Sequence, residues 1–361
     1  IPMKTIAEID PNFKLSSDIP ADTAFCDPRE EPFRRYGLVP NAAGSYCRLP
    51  LEMLPQCSEG VRHLAFHLAG ACVRFSTDSE YLAVLWELGE SGNMAHFTPC
   101  GQSGMELFEE TDRGTVSVKN LLPQMRPEGG CLLHQSALAP LQRGLRHYAL
   151  YLPLYNSLRS LALGFAPGAR IETGRVPAVE EPLVFYGSSI TQGGCAAKTG
   201  SCYTTLLARR LDAAQINLGF SGNAKGEEVI ARYIAGLEMS AFIFDYDHNA
   251  PNVDHLRRTH EPFFRIVRQA QPQLPIVLVS KPDFDGYPDE NRERRNVILQ
   301  TYANAVAAGD RHVYFVDGET LFGRGDRDMC AVDGCHPTSL GFLRMADRLE
   351  PVLRRALADR A

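Results

Sequence analysis

Four short segments in the second half of this 361-residue chain carry the residue types that a serine acyl-transfer site needs. They are Gly187-Ser188-Ser189-Ile190, Asn217-Leu218-Gly219-Phe220-Ser221-Gly222, His248-Asn249 and Asp333-Gly334-Cys335-His336. Acyl transfer divides into a nucleophile, a general base and a set of donors for the developing oxyanion. Ser189 follows an apolar run after one Gly and one Ser, so a sharp strand-to-helix turn would hold its hydroxyl at the lip of a sheet. Gly-Ser-Ser also reads as a plain turn and helix cap, because Ser is a favoured N-cap. His336 is the candidate base for the Ser189 proton. Asp333, in the same loop, is the candidate carboxylate that orients the imidazole and stabilises its charged form. Taken alone, Asp333-Gly334 and His336-Pro337 would be a turn and a helix entry. The candidate oxyanion donors are the backbone N–H groups of Ser189 and Gly222 and the side-chain amide of Asn249.

Other chemistries fit less well. Asp245, Asp247 and Asn249 alternate as in a calcium loop, but Ala250 stands at the sixth position where Gly is needed and Leu256 at the twelfth where Glu is needed. There is no His-Glu-x-x-His, no Gly-x-x-x-x-Gly-Lys and no Gly-x-Gly-x-x-Gly, so neither a metal nor a cofactor is expected. Cys335 lies too close to His336 in sequence to use it as a base, and an inert thiol is expected there. Trp86, in an alternating run, reads as core.

These residues need elements to position them. After about residue 178 the pattern alternates apolar strands (183–186, 216–218, 241–246, 276–280 and 313–316) with helices (202–212, 227–237, 253–270, 291–308 and 340–357). Such alternation predicts a parallel sheet with helices on both faces, and ligands then sit beyond the strands' carboxyl ends. All four segments fall there. Residues 1–178 read as all-β, with strands at 81–88, 115–119, 148–154 and 161–165 separated by Gly, Pro, Asp and Ser turns, which predicts a sandwich or jelly roll. Pro153 inside one run suggests an edge or a bend. The Pro-rich stretch 175–182 reads as a linker, giving domains 1–178 and 179–361.

With 44% hydrophobic and 22% charged residues the composition is that of a globular protein, and a net charge of -6 offers no footprint for nucleic acid. No apolar run approaches the roughly 18 residues needed to span a bilayer, so no membrane partner is expected. Residues 1–10 lack the basic and apolar segments of an export signal. The ten scattered cysteines include no Cys-x-x-Cys pair and suggest reduced thiols in the cytoplasm; removal of a native signal would point to secretion instead.

The set Gly187-Ser188-Ser189-Ile190-Thr191, Gly222, Asn249 and Asp333-Gly334-Cys335-His336-Pro337 resembles the SGNH/GDSL hydrolase family over the second half of the chain. The resemblance implies a three-layer, flavodoxin-like α/β domain. It also implies Ser189 as nucleophile, His336 as base with Asp333, and Ser189, Gly222 and Asn249 as the oxyanion hole. Three positions depart from the family pattern: Ser188 replaces the Asp of Gly-Asp-Ser, and Gly-x-Asn-Asp reads Asp247-His248-Asn249-Ala250, with Asp247 for its Gly and Ala250 for its Asp. The stretches 104–108 and 148–156 are similar to the β-sandwich that precedes this domain in some bacterial carbohydrate esterases, and the whole also resembles GDSL-type acyltransferases of aromatic polyketide pathways. The expected activity is transfer of an acyl group, from an acyl-CoA or activated ester, through acyl-Ser189 to a hydroxyl of a small organic acceptor, with esterase activity toward water. A carbohydrate O-acetylesterase is the alternative, and a catalytically dead glycan- or partner-binding protein the alternative of another class.

Overall fold

The computed structural model describes residues 19–41, 43–283 and 285–360; residues 1–10, read above for an export signal, lie outside the described residues. The first half forms two antiparallel sheets. One has the spatial order β1 (Ala24–Cys26), β9 (Leu158–Phe165), β4 (Tyr81–Leu88), β7 (His134–Pro140). The other runs β10 (Ile171–Thr173), β3 (Cys72–Thr77), β8 (Arg146–Tyr151), β5 (Met105–Thr111), β6 (Gly114–Leu121), with β2 (Arg34–Tyr36) beside β3. Their inner faces meet in one apolar cluster that includes Val73, Phe75, Val84, Trp86, Leu107, Leu150 and Leu163. The strand expected at 148–154 ends at Tyr151, before Pro153, because a residue without an N–H cannot extend the ladder. β8 lies between β3 and β5, so Pro153 terminates an interior strand and does not mark an edge.

The second half is a parallel sheet of five strands in the order β12 (Ala213–Gly219), β11 (Val179–Gly187), β13 (Ala241–Asp245), β14 (Ile276–Val279), β15 (Val313–Val316). Alternation along β11 divides the two faces. Val184 and Tyr186 join the cluster under α5 (Glu228–Ala235), α6 (Val253–Ala270) and α7 (Pro288–Ala307). Leu183 and Phe185 join the opposite cluster under α4 (Tyr203–Arg210) and α8 (Ser339–Ala358). The remaining helices among the described residues are short: α1 (Glu59–Leu64), α2 (Pro99–Ser103) and α3 (Ser189–Gln192). None of the described helices is long and apolar enough to cross a membrane.

The two halves share their cores. Cys47, Leu49, Leu54, Val61 and Leu64 pack into the first of these clusters, and Ala69, Phe97, Leu154 and Tyr155 into the second. Arg48 crosses the seam with no exposed surface. Its guanidinium donates to the carbonyls of Leu64 (2.7 Å) and Gly219 (3.0 Å) and to those of His67 and Asn217, and it lies 4.9 Å from the Phe220 ring centroid. Burial lowers its pKa to about 10, which still leaves it cationic at neutral pH. The outer face of the second sheet is also covered: buried Glu106 of β5 accepts from the backbone N–H of Gly200 (2.9 Å) and from Lys198, and the Arg209 guanidinium sits 3.8 Å over the Phe108 ring. Replacing Arg48 with Met should take a donor from each of four buried carbonyls and lower stability by roughly 3 kcal/mol, measured by urea unfolding. A change below about 0.5 kcal/mol would show that the clip is dispensable.

Candidate active site

Strand order brings the four segments together. β11 has β12 on one side and β13 on the other, and Gly187 at its carboxyl end is in register with both Gly219 and Asp245. The residues just beyond these ends, Ser189, Gly222 and Asn249, therefore belong to three adjacent loops on one edge of the sheet. Ser188 caps the single turn of α3, its Oγ accepting from the Ile190 N–H at 3.1 Å. Ser189 is the first residue of that turn and is 4% exposed. The helix cap and the nucleophile candidate are thus neighbouring serines, and Ser188 satisfies an orphan donor of the turn with a neutral hydroxyl.

The Ser189 turn is fastened to the Gly-rich loop. Asn217 Nδ2 donates to the Thr191 carbonyl (2.7 Å) while its Oδ1 accepts from the Gly219 N–H (2.8 Å). Gln192 Oε1 accepts from the Ser221 N–H at 2.9 Å. A Cβ on Gly219 would come within 2.2 Å of the Gln192 nitrogen, so only Gly lets the two turns touch. Thr191 Oγ1 (3.0 Å) and the Tyr203 hydroxyl (2.9 Å) both donate to Asp245 Oδ2, tying the turn to β13 as well. Gly222 has φ +68° and open space around its would-be Cβ, so its requirement for Gly is conformational and the volume beside it is free for a ligand. Asn249 closes a short 3-10 turn, Asp247–Asn249, that Arg294 clamps through the carbonyls of Asp247 (2.8 Å) and Ala250 (3.0 Å).

His336 arrives from the loop before α8. Its Nε2 is 2.9 Å from Ser189 Oγ, and its Nδ1 is 2.8 Å from Asp333 Oδ2. The other Asp333 oxygen accepts from the backbone N–H groups of Cys335 (3.0 Å) and His336 (2.8 Å), so the carboxylate is fixed by the loop it serves. Partial burial opposes its ionisation, but the His336 backbone and side-chain hydrogen bonds outweigh it and hold the pKa at about 2. A carboxylate that stays ionised and accepts from Nδ1–H leaves the Nε2 lone pair facing Ser189, the arrangement a general base requires.

Asp245 and Asp247 join no cluster of three metal-ligating side chains among the described residues. Three contacts had no clear signal in the sequence. The Tyr155 hydroxyl, from the sandwich half, donates to the Ser189 carbonyl at 3.0 Å, so the first half of the chain reaches the Ser189 turn. The run 148–156 pointed to that segment but not to this contact. Cys335 has a partner after all, in His248: Sγ and Nε2 are 2.9 Å apart, while His248 Nδ1 is 3.5 Å from Asp283. Burial holds the His248 pKa at about 3 and pushes that of Cys335 to about 12, so the pair is neutral. Arg294 lies 45 residues from Asn249 in sequence, and no local pattern could connect them.

A family profile for the GDSL-like lipase/acylhydrolase family matches residues 180–354, and one described as the N-terminus of esterases of the SGNH hydrolase type matches residues 23–171. Among solved structures the chain is similar to a GDSL-like lipase from Bacteroides ovatus, with 26% identity and a TM-score of 0.83 over 93% of this chain and 98% of that one. It is also similar to the salicylyl-acyltransferase SsfX3 from a tetracycline biosynthetic pathway, at 21% identity and TM-score 0.72 over 94% of this chain and 98% of that one. A family two carbohydrate esterase from Clostridium thermocellum, solved in complex with cellohexaose, aligns with 81% of this chain and 94% of its own at 15% identity and TM-score 0.58. These last two likenesses are of fold alone. No curated protein sequence matches the chain.

Two substitutions test the site separately. Asn249→Ala should lower turnover of an activated ester by about 10² to 10³ with little change in KM, the usual cost of one oxyanion donor. Asp333→Asn should lower it by roughly 10⁴ through the wrong imidazole tautomer, with the circular dichroism spectrum unchanged. Near-wild-type turnover in either variant would remove that residue from the site.

Proposed function

Because the chain belongs to the GDSL-like lipase/acylhydrolase family, we propose that it is an acyl-transfer enzyme acting through acyl-Ser189 on a hydroxyl of a small organic acceptor, with esterase activity toward water. The observation that carries this reading is the continuous relay from Ser189 Oγ through His336 to Asp333, at 2.9 and 2.8 Å. Ser189 Oγ attacks the acyl carbonyl as its proton passes to His336 Nε2. The tetrahedral oxyanion is received by the N–H groups of Ser189 and Gly222 and the amide of Asn249. Collapse expels the leaving group, which takes the proton from His336. The acceptor hydroxyl then gives its own proton to His336, attacks the acyl-enzyme and restores Ser189. The donor is an acyl-CoA or an activated ester.

Two features support an organic acceptor inside a reducing compartment. Val332, adjoining Asp333, is 47% exposed, and Met329 on the same loop is 61% exposed, an apolar rim suited to an aromatic or aliphatic molecule better than to a sugar. All ten cysteines are unpaired, as in a cytoplasmic protein.

The test is intact mass after mixing with activated aryl esters and acyl thioesters, wild type beside Ser189→Ala. The expected result is one acyl adduct on the wild type alone, discharged faster when small aromatic alcohols are added. Discharge unaffected by any alcohol but rapid turnover of acetylated sugars would favour the carbohydrate O-acetylesterase. No adduct and no turnover with any donor would leave a binding protein.

A further inference from the structure

Three side chains that the acyl-transfer cycle does not use together converge at the mouth of the site. His96 lies on the loop between β4 and α2, and its ring centroid is 5.6 Å from that of His336. Cys195 follows α3. One nitrogen of each ring and Cys195 Sγ all lie within 4.8 Å of one another. The three loops are stitched together: Thr98 Oγ1 donates to the Ala197 carbonyl (2.6 Å), the Ala197 N–H donates to Ser339 Oγ (3.4 Å), and Gly101 is pressed so closely on the Ala196 carbonyl that a Cβ there would be 1.9 Å away. Cys195 has φ +69°, a left-handed backbone that costs a non-glycine residue about 1 kcal/mol or more and holds the thiol at this spot.

We propose that His96, Cys195 and His336 form an inhibitory site for a divalent ion of zinc-like chemistry. A thiolate and two imidazoles are the ligand set such an ion selects, with a fourth position left for water. Bonds of roughly 2.0 to 2.3 Å bring tetrahedral ligand atoms to about 3.3–3.8 Å apart, so from separations within 4.8 Å the cluster tightens by at most about 1.5 Å. His96 is exposed and can supply that movement by rotating. The Asp333 carboxylate on Nδ1 of His336 is the outer partner that metal-ligating histidines commonly have, and it leaves Nε2 to the ion. Binding exchanges the Cys195 thiol proton for the metal and releases that proton to solvent, with no change of oxidation state. The ion takes the lone pair that would accept the Ser189 proton, so acylation stops until it leaves.

The neighbouring cluster of His63, His67 and Glu90 is not equivalent. Gln192 Nε2, whose orientation is fixed by Ser221 N–H on Oε1 and by the Leu154 carbonyl, faces His67 Nδ1 at 3.4 Å. His67 is thereby held with its proton on Nε2, the nitrogen that points at Glu90 and that a metal would need.

The test titrates the resting protein with Co²⁺, reading the near-ultraviolet thiolate-to-cobalt charge-transfer band, and then displaces it with Zn²⁺. The band needs no turnover, so the result stands apart from the acyl-transfer reading. One equivalent should saturate it in the wild type and in Cys335→Ser, while Cys195→Ser loses it. His96→Ala, an exposed change that should leave folding and basal activity intact, should weaken it by roughly tenfold or more. Zn²⁺ should block acylation of Ser189 in the wild type, and His96→Ala should need a correspondingly higher concentration. The proposal is overturned by no band on the wild type, by a band that survives Cys195→Ser, or by unchanged affinity in His96→Ala.

Discussion

Arg48 carries its positive charge where water has no access, and backbone carbonyls from both halves of the chain make that burial tolerable. A desolvated cation is costly unless every donor finds an acceptor in good geometry. Leu64 and His67 supply acceptors from the segment that precedes β3. Asn217 and Gly219 supply them from the carboxyl end of β12. The charge is therefore satisfied only when the two halves are docked, and docking fixes the strand end from which the Phe220–Gly222 loop departs. The sandwich keeps an apolar core between its own sheets, but both clusters of the second half run across the seam, so that half has no closed core of its own.

From that anchored strand the site follows by adjacency. A sheet with β11 between β12 and β13 puts the residues after their three carboxyl ends side by side, whatever their separation in sequence. Asn217, Gln192 and Thr191 then convert adjacency into fixed geometry by spending side-chain hydrogen bonds on backbone and carboxylate partners. The His336 loop needs less support. Asp333 and His336 come from one loop whose own N–H groups hold the carboxylate, so this pair is preformed when the loop closes.

The catalytic half was the more legible half. Its five strands are built on short, mostly buried apolar runs, and helices such as α6 and α7 separate them at regular spacing. In the sandwich, β4 could be read because a hydrophobic face alternates with a partly exposed one. β3 and β5 could not. Their sequences, CVRFST and MELFEET, look like surface segments, yet nearly every residue is buried because the second sheet lies against the catalytic half. Arg74 faces Glu110, and Glu106 faces Gly200 and Lys198, so these charges report partners across strands and across the seam. Periodicity registers exposure to water, and here water is replaced by protein.

Composition and spacing alone determined the α/β class of the second half, the sandwich before it, and the residue types from which a nucleophile, a base and oxyanion donors could be drawn. These follow from local physics: strand and helix periods, turn-forming glycines, and a carboxylate three residues from a histidine. Tertiary structure decided what local order cannot encode. It set the 2.9 Å contact between Ser189 and His336 across 147 positions, the reach of Tyr155 into the Ser189 turn, and the pairing of Cys335 with His248. Each joins loops that only the order of strands in the sheet and the burial of the seam bring within hydrogen-bond range.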